Sequence, residues 1–284
     1  MKKALALILA LVCVFALCAC GSSAAPAAAE PEKEVLIMGT SADYAPFEFM
    51  YPDEKGELVY GGIDVSVGQY IADYTGKELK VENMGFDYLL VSLTKGDFDI
   101  VLAAIEETEE RLQSADFSDP YIVEVPEKIL VRAEDAEKFV NAAEDFQGVS
   151  VGAQTGSTKV EKAEQNLTGC TVVSLPLVTD LVNELVNGKI DAVVLDGSVA
   201  ASYDAQYDQL VVAEQASGAF GENNEVAVAV AKGDPKGLLP GINEAIEKLL
   251  AENKIEEFKA AVDEIQGIEE VSADAPEGYE PDED

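Results

Sequence analysis

Three short stretches of this 284-residue chain combine residue types that could hold a small charged solute. In Ala103-Ala104-Ile105-Glu106-Glu107-Thr108-Glu109-Glu110-Arg111, an arginine stands about one helical turn beyond an apolar strand. A guanidinium placed there can fork onto a carboxylate through two parallel charge-assisted hydrogen bonds; taken alone, such an arginine is more often a surface salt-bridge residue. In Leu195-Asp196-Gly197 a carboxylate at a strand end could receive an ammonium group, or simply cap a helix. In Gln154-Thr155-Gly156-Ser157-Thr158 free amides and hydroxyls at a helix start suit an anion of carboxylate size. The Gly-x-x-x-x-Gly-Lys spacing of a phosphate loop is missing there, and helix capping is the plainer role. Tyr44 and Phe47, after the first strand, and Phe86, at the head of a later helix, could wall the aliphatic part of a ligand, although aromatics usually fill cores. Clamp for a carboxylate, acceptor for an ammonium and apolar walls together describe a site for a free amino acid. No single member would justify that reading.

The composition narrows the chemistry further. The chain has no histidine and four cysteines, Cys13, Cys18, Cys20 and Cys170. Lys2 and Lys3 precede an apolar run over residues 4–17, shorter than the roughly 18–20 residues that span a bilayer, as in a secretion signal. Leu17-Cys18-Ala19-Cys20 is similar to the lipobox of bacterial lipoproteins, which implies a signal peptide over residues 1–19 and a diacylglycerol on Cys20. Cys170 is then left as a small structural residue without a disulfide partner. Zinc sites and histidine-based catalysis are almost excluded, and no metal or cofactor is expected. A net charge of −36, from 55 acidic against 19 basic residues, should repel nucleic acid and anionic headgroups. Residues 20–33 read as a flexible tether. Residues 268–284, with eight carboxylates and no Lys or Arg, read as a disordered tail.

Between these ends short apolar runs alternate with helical patterns, which predicts an α/β fold. Strands are expected over 35–40, 79–82, 99–104, 129–132, 149–153, 171–174, 191–195 and 226–230. Phe86, Leu89, Leu90 and Leu93 fall on one helical stripe that Gly96 closes. Residues 93–102 and 185–194 share a plan of helix end, glycine, apolar residue, aspartate and buried strand, which suggests two comparable lobes. Ligands of open α/β sheets gather beyond the carboxyl ends of strands, here after Leu102 and Val194.

GTSADYAPFEF (39–49), GGIDV (61–65), TEERLQSADFSDPY (108–121), VGAQTGST (151–158), DAVVLD (191–196) and AKGDP (231–235) occur in one order. In this the chain resembles the family 3 extracellular solute-binding proteins, the polar amino-acid receptors of ABC importers, over nearly all of residues 35–267. The resemblance implies a periplasmic-binding-protein fold: lobe 1 from residues 34–124 plus 226–267, lobe 2 from residues 125–225, and two hinge crossings between them. It implies that Arg111, with the amides of Ser157 and Thr158, grips a ligand carboxylate and that Asp196 receives its ammonium. Tyr44, Phe47 and Phe86 would line the side-chain pocket. The partners implied are a free polar or cationic amino acid, a membrane ABC permease and, through the lipid, the membrane itself, with the protein a monomer. The chain departs from the family at Ala104 and Glu106, where small hydroxyl residues are usual. Glu106 either strengthens binding of a cationic group, and so disfavours glutamate, or points outward. A lipoprotein presenting ligand to a membrane sensor and a dehydratase on the same fold are the other classes to weigh.

Overall fold

The computed structural model describes residues 33–221 and 223–266; the signal, Cys20, the tether and the acidic tail lie outside the described residues. Among the described residues the strands are β1 (Val35–Thr40), β2 (Asp43–Tyr44), β3 (Glu48–Pro52), β4 (Leu58–Gly61), β5 (Glu78–Asn83), β6 (Ile100–Val101), β7 (Ala115–Phe117), β8 (Ile122–Glu124), β9 (Lys128–Arg132), β10 (Ser150–Gln154), β11 (Thr171–Leu175), β12 (Ala192–Leu195), β13 (Leu210–Val212), β14 (Asn224–Val226) and β15 (Ala229–Ala231). The helices are α1 (Ile63–Tyr74), α2 (Leu89–Lys95), α3 (Thr158–Asn166), α4 (Val178–Val186), α5 (Gly197–Gln206), α6 (Glu214–Ser217), α7 (Leu239–Ala251) and α8 (Lys254–Gln266).

Two five-stranded sheets share one plan. The first has the order β5-β1-β6-β15-β7 and the second β11-β10-β12-β9-β13. In each, three parallel strands are followed by one antiparallel strand, β15 or β9, and by an edge strand, β7 or β13, that again runs with the first three. Along β9 and β12, Ile129, Val131, Ala192 and Val194 enter one apolar cluster while Leu130, Val193 and Leu195 enter another. Successive side chains of a strand point to opposite faces, so this run of apolar residues is a sheet covered on both sides. The helices supply the cover through single stripes: Ile63, Val67 and Ile71 on α1, and Val178, Leu181, Val182 and Leu185 on α4.

The lobes are joined by a two-stranded ribbon, β8 antiparallel to β14, near both expected crossings. The strand expected over 226–230 is therefore two strands. Val226 ends the ribbon and Ala229 begins the first sheet, and an unbroken apolar run hides the passage between them. The strand expected over 99–104 stops at Val101, because Ala104 turns to φ 45° and donates its N–H to Asp64 Oδ2 at 2.7 Å. The helix headed by Phe86 opens as a 3-10 turn, Phe86–Tyr88, before α2 begins. Gly96 closes α2 in the left-handed conformation. Residues after β1, for which no strand was expected before residue 79, form a small sheet β2-β3-β4 whose turn is tied by Asp53, which accepts from the amides of Lys55 and Glu57. Gly62, at the head of α1, is required by geometry: φ is 119° and an added Cβ would lie 2.0 Å from the Phe47 carbonyl oxygen. Among the described residues no helix is long and apolar enough to cross a membrane.

Candidate functional site

The carboxyl ends of β6 and β12 bring the predicted residues to one cleft. Asp196 follows β12 directly, precedes α5 and is 2% exposed. Its Oδ2 accepts the Tyr44 hydroxyl at 2.8 Å, and its own N–H donates to the same hydroxyl oxygen at 3.1 Å. Tyr44 belongs to the small sheet beside β1, so this pair joins the two lobes. Burial, followed by the charge of Asp196, pushes the Tyr44 phenol well above its ordinary value, which keeps it a donor.

Arg111 sits in a 3-10 turn, Arg111–Gln113, with its N–H on Thr108 Oγ1. Its guanidinium donates to the Glu106 carbonyl oxygen at 2.8 Å and, across the cleft, to the Gly156 carbonyl oxygen at 3.3 Å. The guanidinium carbon lies 5.4 Å from the Phe86 ring centre, over its face. A third polar link crosses where Asp43 Oδ2 accepts the N–H of Val178, the first residue of α4, at 2.6 Å.

Glu106 points into the cleft and does not carry an unmet charge. Lys159, the second residue of α3, places Nζ 2.8 Å from Glu106 Oε1 and 2.9 Å from Asp196 Oδ1, with only 5% of the residue exposed. Burial alone would lower the Lys159 pKa, but Asp196, Glu106 and Glu127 outweigh it and hold the ammonium above its ordinary range. Burial likewise works against the Glu106 carboxylate, and Lys159, Lys162 and Arg111 more than reverse it, so the group stays below the usual range. Burial pushes Asp196 upward while Lys159 pulls it back. One turn along α3, Lys162 bonds Glu127 and the side-chain oxygen of Asn224, and Asn224 Nδ2 donates to both Glu127 and Asp196. Oxygens of Glu106, Glu127 and Asp196 all lie within 4.8 Å of one another, a spacing that suits a cation. Here the two lysine ammoniums supply the positive charge.

Of the two sequence readings of Glu106, the inward one matches its orientation, and its charge is met by Lys159. A carboxylate neutralised by Lys159 gives no reason by itself to disfavour an acidic ligand. Phe47 also differs from its expected role: it is fully buried in the apolar core, stacked beside Tyr44 at 6.4 Å between ring centres, and does not face the cavity. Thr158 reaches Glu106 Oε1 at 3.4 Å but lies off the cavity wall. Arg111, Asp196, Ser157, Tyr44, Phe86, Ala104 and Glu106 do share a wall, together with Ala103, Gln154 and Lys159. The space they enclose is about 10 Å³, room for about one water. Lys159 and Gln154 on this wall, and Asn224 bonded to Asp196 behind it, are the residues that residue typing missed. One signal was present: a lysine in the first turn of a helix opposes the helix dipole, so Lys159 needed a compensating acid nearby.

A double α/β clamp, with opposed charged groups at the strand ends of its two lobes, defines a solute-binding protein. The chain belongs to the bacterial extracellular solute-binding proteins, family 3, whose model matches residues 36–261. It is similar to the arginine-binding extracellular protein ArtP of Bacillus subtilis, 32% identical over 212 residues that cover 74% of this chain and 79% of that protein. Its fold is similar to that of the amino acid ABC transporter substrate-binding protein AbpA of Streptococcus pneumoniae bound to L-arginine, with a TM-score of 0.75 at 28% identity over 83% of this chain and 97% of that one. A cyclohexadienyl dehydratase of Pseudomonas aeruginosa is also similar, 30% identical over 165 residues, 58% of this chain and 60% of that protein.

Proposed function

We propose that this protein captures a free polar or cationic amino acid outside the cytoplasm and presents it to an ABC permease. Residues 34–124 plus 226–267 form one jaw and residues 125–225 the other. Ligand that touches both jaws draws them together, because its binding energy counts only in the closed arrangement. A lipid on Cys20 holds the monomer at the membrane. The observation that carries this reading is the facing of Arg111 and Asp196 from different jaws onto one enclosed point, where an α-carboxylate and an α-ammonium need opposite partners. Arginine-binding relatives support a cationic side chain as the first choice to test.

Titration calorimetry with L-arginine, L-glutamine and L-cystine tests it, with Arg111→Ala as the control. One of the three should bind the parent protein and Arg111→Ala should lose about 100-fold in affinity. Binding that is indifferent to Arg111 would remove the carboxylate clamp. The similarity to a dehydratase favours one second reading, an enzyme on cyclic amino acids. A chain without histidine would need Glu106 or Asp196 as its acid or base, and Lys159 already engages both. We therefore infer binding without chemistry; mass spectrometry that finds a bound ligand converted after incubation would refute it.

A further inference from the structure

Lys159 is an ammonium on a four-carbon tether, placed where the proposed ligand would put its own. Three observations bear on it. Its Nζ bridges Glu106, from the first lobe, and Asp196, from the second, at 2.8 and 2.9 Å. Its position in the first turn of α3 is electrostatically unfavourable for a lysine, so the local helix gives no reason for it. With its side chain in place the cleft has about 10 Å³ of free space, room for about one water.

Resting on the reading of the cleft as an amino-acid site, we propose that Lys159 is an intramolecular competitor for the ligand's cationic group. Binding is then an exchange: the incoming ammonium takes over Glu106 and Asp196, and the lysine stem withdraws and frees the volume the ligand needs. Glu127, whose carboxylate lies within 4.8 Å of the other two, gives the displaced Lys159 a nearby acid. The same bridge ties the jaws before any ligand arrives, so the cleft spends part of its time closed on its own side chain. The competitor sets a threshold. A ligand must outbind a tethered ammonium, and the apparent affinity is reduced by the fraction of molecules in which Lys159 is already seated.

The test uses the purified protein with L-arginine and L-glutamine as probes, and the variants Lys159→Gln and Lys159→Met, the second keeping the apolar stem. Calorimetry should show both variants binding the preferred probe about tenfold or more tightly than the parent. Small-angle scattering in buffer without amino acid should show both variants with a larger radius of gyration than the parent. Weaker binding by both variants, with the parent binding normally, would mean that Lys159 holds the ligand directly, and would overturn the inference while leaving the receptor reading intact. Failure of parent and variants alike to bind any amino acid would defeat the receptor reading instead. Identical radii for parent and variants, each folded by circular dichroism, would overturn the bridge between the jaws whatever the calorimetry gives.

Discussion

Two pairs of buried carboxylates in this molecule are stabilised in opposite ways. Glu48 and Asp64, within the first lobe, are 1% and 0% exposed and, among the described residues, form no ion pair with a lysine or arginine. Burial, then their mutual charge, drives Glu48 well above the carboxylate range, and burial raises Asp64 to about 6. Both carboxyls therefore hold a proton more readily than exposed ones do. Asp64 accepts the Tyr121 hydroxyl and the Ala104 N–H, each at 2.7 Å, and so fixes the turn that forms the cleft floor. Glu106 and Asp196 face each other across the cleft and are met by Lys159 instead. The difference is one of exchangeability. The first pair belongs to a single lobe and is permanent scaffold; the second spans two bodies and can trade its cation when they part.

Breaking each pair should have different consequences. The largest effect is expected for Asp64→Ala, which strands the Tyr121 hydroxyl and the Ala104 amide in the core and should cost about 3–5 kcal/mol of stability by urea denaturation. Asp196→Ala should lower L-arginine affinity about 100-fold, roughly 3 kcal/mol, yet shift the unfolding midpoint far less, because an opened cleft lets water reach the groups left behind. A comparable loss of stability in the two variants would erase the distinction.

The scaffold pair also predicts a pH dependence. Both groups hold protons more tightly in the folded than in the unfolded chain, so their stabilisation is fullest below their unfolded values and declines as pH rises. For Asp64 the loss runs from 3.8 to about 6. Glu48→Gln keeps a hydrogen-bond donor without the titration, and should reduce the loss of stability between pH 5 and 7 by roughly 1–3 kcal/mol. An unchanged pH profile in thermal melts would show that Glu48 is ionised in the fold. The smallest effect concerns closure. Gly156 has φ 79° and an added Cβ would meet Asp87 of the opposite lobe at 3.2 Å. Gly156→Ala should weaken binding about tenfold and, because alanine is strained at that φ, cost its own lobe about 1 kcal/mol of stability.

Much of the cleft was legible in the sequence because its parts sit at strand ends, and apolar runs locate strand ends. Asp196 follows the run of β12, and Ser157 lies just before α3, so position and residue type together singled them out. Glu106 was legible as a departure, but not its partner. Lys159 was not singled out, since a lysine in sequence is nearly always solvated and its place against the helix dipole gains meaning only with its burial. Phe47 failed for the reverse reason: aromatic type serves core and pocket alike, and only packing separates the two uses.

By itself, then, the sequence determined the two-lobed α/β plan, the placement of Arg111 and Asp196 at the mouths of different sheets, and the family. Periodicity and turn residues act locally and survive in one dimension. Tertiary structure alone decided which cation meets which carboxylate. Lys159 stands 53 residues from Glu106 in the chain, and their encounter depends on how two separately folded sheets are held by one short ribbon.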